Sequence, residues 1–131
     1  MLNTPIINGN YLALQDLGYY YQTVEQDYKL MKKYYLMAIE KGNSTAMYEL
    51  GNYYNTVEKD YKLMKKYYLM AIEKGNVYAM YELGNYYRYV EKDNKLTKKY
   101  YLMAIEKEHK TKTKNKTHNI KKKTKNKQTK N

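Results

Sequence analysis

The chain contains no cysteine, tryptophan or phenylalanine, and it has one proline and one arginine, Arg88. Without cysteine there is no disulfide, no thiol nucleophile and no thiolate metal site. The single proline, Pro5, lies ahead of everything periodic in the chain. No apolar run approaches the roughly 18 residues of a membrane span. The opening residues Met1–Asn8 have neither the basic segment nor the long apolar segment of a secretory signal. The expectation is a soluble intracellular protein of the cytoplasm or nucleus. Both histidines, His109 and His118, sit in a lysine-rich stretch with one carboxylate nearby. That falls short of the three or four preorganised ligands a metal requires. There is no nucleophile–base pair, no glycine-rich phosphate loop and no acidic dyad with a cleft to occupy. The chain is expected to be no enzyme and to bind no cofactor or metal.

What the sequence does have is one phrase repeated. The stretch Leu63–Asn76 recurs unchanged at Leu30–Asn43. It recurs again from Leu96 to Lys107, with Thr97 in place of Met64 and Glu108 in the place of Gly75. Gly9, Gly42 and Gly75 are 33 residues apart, as are Gly18, Gly51 and Gly84. A fixed period of about 20–50 residues marks a stacked-repeat protein. Three copies follow at 9–41, 42–74 and 75–107, after a lead-in at 1–8 and before a lysine-rich, low-complexity tail at 108–131.

Each copy reads as two helices. In helix A of the second copy, Ala46, Met47, Leu50, Tyr53 and Tyr54 share one side, while Thr45, Tyr48, Glu49 and Asn52 share the other. Asn10, Asn43 and Asn76 are placed to cap helix A of each copy, and Asp27, Asp60 and Asp93 to cap helix B after a short polar link. Gly75 suits the left-handed position that ends helix B, as does Gly42. Gly51, with Gly18 and Gly84, lies inside helix A at a cost of about 1 kcal/mol relative to alanine. Its presence there predicts that a neighbouring helix approaches closely where no Cβ intervenes. On helix B, Tyr61, Met64, Tyr67, Tyr68, Ala71 and Ile72 fill an arc wider than the usual stripe of roughly 100°, which requires burial on more than one side. One copy cannot hide such faces alone, and about three copies are needed for stability.

Net charge is +12, and ten of the 25 basic residues fall in the tail against one carboxylate, Glu108. With one aliphatic residue and dense like charge, the tail is expected to stay disordered. Lys121, Lys122, Lys123 and Lys125 are its candidate contacts for a polyanion, held by counterion release and without base specificity, since no aromatic is there to stack on bases. A solubilising appendage is the plainer reading of the same residues. With Gly75's counterpart lost, helix B of the third copy has no evident cap, which favours self-association there.

Ala46, Leu50-Gly51, Tyr54, Asp60, Tyr67, Ala71 and Gly75, with their equivalents in the other copies except at Glu108 after the third, resemble the Sel1-like repeat, a relative of the tetratricopeptide repeat. The resemblance covers residues 9–107. It departs from the family in a shorter A–B link and in Met64, where the family tends to have alanine. The wording, heavy in Lys, Asn, Tyr and Ile, is similar to Sel1-like arrays from AT-rich genomes such as those of giant DNA viruses or amoebae. The resemblance implies an all-α, right-handed solenoid of about six helices that serves as an adaptor or scaffold for protein partners. Ala38, Ala71 and Ala104 then join the glycines as structural positions. In related solenoids helix A lines the concave groove. Differences between the copies concentrate in helix A and the link after it. Gln15, Tyr19, Tyr48, Asn52, Tyr78, Tyr81, Asn85 and Arg88 are accordingly expected to form a partner-binding groove. Drift of exposed positions after duplication predicts the same map, and a degenerate array with no present role is a third reading.

Overall fold

The computed structural model describes the backbone of residues 7–128 and the side chains of 10–122. Pro5 and the rest of 1–6 lie outside that range, as do the side chains of Lys123 and Lys125. Every described element is helical: α1 (Ile7–Tyr20), a π-helical turn (Tyr21–Glu25), α2 (Tyr28–Glu40), α3 (Ser44–Thr56) and α4 (Tyr61–Glu73). Then come α5 (Val77–Tyr86), a second π-helical turn (Tyr87–Glu91) and α6 (Asn94–Gln128). The chain is all-α over the described residues. None of these helices is long and apolar enough to cross a membrane.

The helix ends follow from individual residues. Asp27, Asp60 and Asp93 accept the backbone N–H three positions on, at 3.0–3.1 Å, and so start α2, α4 and α6. Gly42 (φ 84°) and Gly75 (φ 82°) take the left-handed conformation that stops α2 and α4. The Gly42 N–H bonds the Ile39 carbonyl at 2.8 Å and the Asn43 N–H bonds Ala38 at 3.1 Å, and the pattern repeats at Gly75 and Asn76. This paired arrangement satisfies carbonyls that the helix end otherwise strands. Asn43 then accepts the Ala46 N–H at 2.9 Å and Asn76 the Ala79 N–H at 3.0 Å, so one residue closes a helix and opens the next. Asn10 does not follow. It lies inside α1, which begins at Ile7.

The A–B links depart from the expected polar loop. They extend helix A and stop on left-handed residues that are not glycine: Gln26 (φ 53°), Lys59 (φ 54°) and Lys92 (φ 55°). The Asp27, Asp60 and Asp93 N–H groups reach back to the carbonyls of Tyr21, Tyr54 and Tyr87 at 2.8–2.9 Å. A tyrosine hydroxyl also ties each link to the carboxylate five residues on: Tyr20 to Glu25, Tyr53 to Glu58 and Tyr86 to Glu91, at 3.0, 2.7 and 2.6 Å.

The chain divides into two compact units, residues 1–79 and 80–131, with the boundary inside α5. In the first unit α1 packs on α2, α2 on α3 and α3 on α4, and α1 also meets α3. Met31, Tyr35, Ala38, Ala46, Leu50, Met64, Tyr68 and Ala71 are its innermost side chains, each 0–1% exposed. In the second unit Met80, Leu83, Tyr86, Tyr100 and Ala104 are buried.

The tail is a correction. Residues 108–128 continue α6 without a break. Glu108 replaces the glycine that stops α2 and α4, and no glycine or proline occurs between Asn94 and Gln128. Lys, Glu and Gln are good helix formers, and a helix already nucleated adds a hydrogen bond for each residue it fixes. A Glu106–Lys110 pair at 3.4 Å spans the point where the repeat ends.

Candidate protein-binding surface

The surface is built from tyrosines that the glycines of helix A make room for. A Cβ on Gly51 would sit 2.5 Å from Cδ1 of Tyr68, and one on Gly18 or Gly84 would meet Tyr35 or Tyr101 at 2.5 or 2.6 Å. The predicted close approach is therefore an aromatic ring from helix B of the same copy, laid against bare helix A backbone. Ala38, Ala71 and Ala104, three residues further along helix B, are buried.

Each seated ring has its hydroxyl anchored. Tyr68 donates to Asn52 Oδ1 at 2.5 Å, and Tyr101 donates to Asn85. The first copy has Tyr19 where Asn52 and Asn85 stand, and there Tyr35 donates to Gln22 at 2.7 Å instead. The acceptor has moved one turn along helix A while the anchor is kept. Burial holds the Tyr35 phenol strongly in its neutral form, well above the ordinary range. A second set of rings closes each helix pair: Tyr21–Tyr34, Tyr54–Tyr67 and Tyr87–Tyr100 stack nearly parallel at 5.6–5.8 Å.

Outward from the seated rings lies a second layer. Tyr48 stacks on Tyr68 at 6.1 Å and meets Tyr78, the second residue of α5, at 5.8 Å. In the second unit Tyr81 stacks on Tyr101 at 5.8 Å. Proximity to Tyr101 raises the Arg88 guanidinium pKa, and the charged head lies 4.9 Å over Tyr89. Tyr78 and Tyr81 remain 69% and 53% exposed, so their rings are held by neighbours yet face outward.

The expected groove residues thus separate into two kinds. Tyr78, Tyr81 and Arg88 are exposed, with Tyr48 half-buried beneath Tyr78, and Tyr19 is exposed on α1. Gln15, Asn52 and Asn85 are half-buried and already engaged. Gln15 accepts from Asn43 Nδ2 at 2.8 Å, and Asn43 also reaches the Tyr11 carbonyl at 3.3 Å. Gln15 ties the first copy to the second, Asn52 and Asn85 tie helix A to helix B within a copy, and all three offer little to a visitor. The sequence reading missed this because a helical wheel shows which face a residue is on, but not whether a hydroxyl from another helix meets it there.

Glu49 was also missed. Placed on the polar side of the wheel, it is half-buried, and desolvation raises its carboxyl pKa. Lys32 and Glu58, in different copies, form an ion pair at 2.6 Å. That bond lowers the Glu58 pKa and raises that of Lys32. Among the described residues no cluster of His, Asp and Glu is arranged to hold a metal.

No family model matches the chain, and no curated protein matches it either. Among solved structures it is similar to the immunity protein Pa5087 from Pseudomonas aeruginosa, with a TM-score of 0.66 and 30% sequence identity. The similarity takes in 76% of this chain and 41% of that protein, so the chain spans less than half of its length.

Proposed function

We propose that the chain is a protein-recognition module, a Sel1-like α-solenoid of three repeats that serves as a scaffold and takes a protein partner on the tyrosine-bearing faces of α3 and α5. The observation that carries this reading is the second layer of rings. Tyr78 and Tyr81 are exposed, and each is held against a neighbouring ring, Tyr78 tilted on Tyr48 and Tyr81 stacked on Tyr101. A large amphipathic side chain that loses little rotamer freedom on contact is the kind that dominates binding energy at interfaces. Arg88, placed over Tyr89, adds a charged donor of the same kind. The reading rests on these side chains and on the repeat pattern, not on the likeness to the immunity protein.

The test is affinity capture with wild-type chain and with Tyr78→Ala plus Tyr81→Ala. Both rings are more than half exposed, so the variant is expected to keep its helix content and melting temperature while losing the captured partner. Recovery of the same proteins by both baits would defeat the proposal.

A second reading is favoured by α6, whose residues from Ile105 to Lys122 are all exposed and rich in lysine. A helix carrying such a row of cations would hold a polyanion without sequence preference. For nucleic acid, log K would fall by about 0.9 per log unit of salt for each phosphate contact. Titrating the full chain and a chain ending at Lys107 against duplex DNA at two salt concentrations decides it. Equal affinities end the idea.

A further inference from the structure

Inside the chain, α3 docks on α2, and the contact can be read residue by residue. Lys32 on α2 bonds Glu58 at 2.6 Å and lies over the rings of Tyr53 and Tyr54 at 5.0 and 5.5 Å. Ala46, Leu50 and Tyr53 on α3 are buried to 0%, 1% and 3%. Both halves of this contact occur a second time, and among the described residues nothing lies on them. On α1, Ala13, Leu17, Tyr20, Tyr21 and Glu25 repeat Ala46, Leu50, Tyr53, Tyr54 and Glu58 letter for letter. Yet Ala13 is exposed, Leu17 is only half-buried and Tyr20 is 41% exposed. On α6, Lys98, Leu102 and Ile105 repeat Lys32, Leu36 and Ile39. Ile105 is 63% exposed where Ile39 is half-buried, and Lys98 is exposed.

We infer that the chain self-associates head to tail, α1 of a second copy docking on α6 as α3 docks on α2, with Lys98 of one molecule pairing with Glu25 of the next. The occupant is set by the sequence of the two faces. The pair of surfaces that meets inside the chain is also present outside it, with the same apolar side chains and with opposite charges in corresponding places. On α6, Asn94 and Thr97 stand where α2 has Tyr28 and Met31, and on α1 Leu14 stands where α3 has Met47. The Tyr28–Tyr53 ring contact at 5.1 Å therefore has no counterpart in the intermolecular version, which makes that contact weaker than the internal one. Because each molecule carries one face of each kind, the contact is heterologous and leads to rings or open chains rather than to a two-fold dimer. This inference concerns faces other than the tyrosine surface and does not depend on it.

Sedimentation velocity on the full chain over a concentration series tests it. The wild type should shift upward from its 15.9 kDa monomer mass as concentration rises. Glu25→Lys places like charges at the contact, as does Lys98→Glu, and each alone should weaken association by about tenfold or more. Mixing the two single variants should restore association in alternating order, since each face of one variant then meets a face of opposite charge on the other. The double variant in one chain should associate again as the wild type does. Circular dichroism on each variant establishes that it has folded. A wild type that stays monomeric at every concentration overturns the inference, including the case where the chain's own first residues cover α1. So do single variants that associate as well as the wild type, or a mixture that stays monomeric.

Discussion

Tyr68 and Tyr101 are the same residue of the same repeated phrase, each laid on a glycine, yet Tyr68 is fully buried and Tyr101 only half-buried. The difference begins seven residues later. After Tyr68, Gly75 turns the chain back, and the first turn of α5 brings Tyr78 against Tyr48, which itself stacks on Tyr68. After Tyr101, Glu108 lets α6 run on to Gln128, so no returning helix brings a further ring to Tyr81. Burial of a residue in a repeat is therefore set by what the chain does after the repeat, and identical words acquire different weights.

The largest test of that contrast is truncation of the two rings. Tyr68→Ala should cost about 3–5 kcal/mol, as deletion of a fully buried aromatic does, and Tyr101→Ala less than half as much. Urea unfolding measures both, and equal costs would break the comparison. Gly51→Ala should destabilise by about 1–3 kcal/mol, because overpacking against the Tyr68 ring outweighs alanine's better helix propensity. Gly84→Ala should cost less, since Tyr101 has room to give way.

The helix stops sharpen the contrast further. Gly42→Ala forces a Cβ into the left-handed region for about 1–2 kcal/mol, and its new Cβ would meet nothing nearer than Lys74 Nζ at 3.8 Å, so backbone strain alone is measured. Glu108→Gly installs the missing stop in α6. It should lower the far-ultraviolet helix signal while leaving the unfolding midpoint almost unmoved, since residues 108–122 are exposed. Lys59→Gly goes the other way. It relieves a left-handed non-glycine residue and should stabilise by up to about 1 kcal/mol, measured as a higher melting temperature.

The smallest effect is electrostatic. Glu58 titrates below its ordinary 4.5 because Lys32 bonds it, and Lys32 titrates above its ordinary 10.5 for the same reason. Their contribution is thus complete between about pH 4.5 and 10.5. It is lost in acid as pH falls through the lowered value, and in base as pH rises through the raised one. Both side chains are about a third exposed, so it amounts to less than about 1 kcal/mol. Lys32→Met should flatten the acid limb of the stability–pH curve. Glu49 has the opposite sign: burial raises its pKa, so its charge opposes folding at neutral pH. Glu49→Gln should raise the unfolding midpoint at pH 7 and leave it unchanged near pH 3.

Much of this was legible in the residues. The aspartate caps, the asparagine caps of α3 and α5, and the glycine stops each depend on one side chain or on its absence. Such features are local, and the 33-residue spacing locates them. The glycines inside helix A announced a close neighbour, but not that it is a tyrosine ring whose hydroxyl then occupies Asn52 or Asn85. For that reason two of the eight residues assigned to a groove, Asn52 and Asn85, are ties within a copy. The π-helical links were hidden because nothing in Thr23-Val24-Glu25-Gln26 signals a left-handed stop as a glycine would. The tail was misjudged because composition weighs like-charge repulsion, while the observed helix is the extension of one already nucleated at Asp93.

The amino-acid order by itself determined the period, the helices, their caps and which positions carry apolar side chains, since each of these depends on neighbours a few residues away. Tertiary structure alone decided which of three identical side chains is buried, which polar groups are already engaged and which faces remain bare. Those outcomes depend on whether another helix arrives, and residues with the same name in the same phrase have no means of recording that.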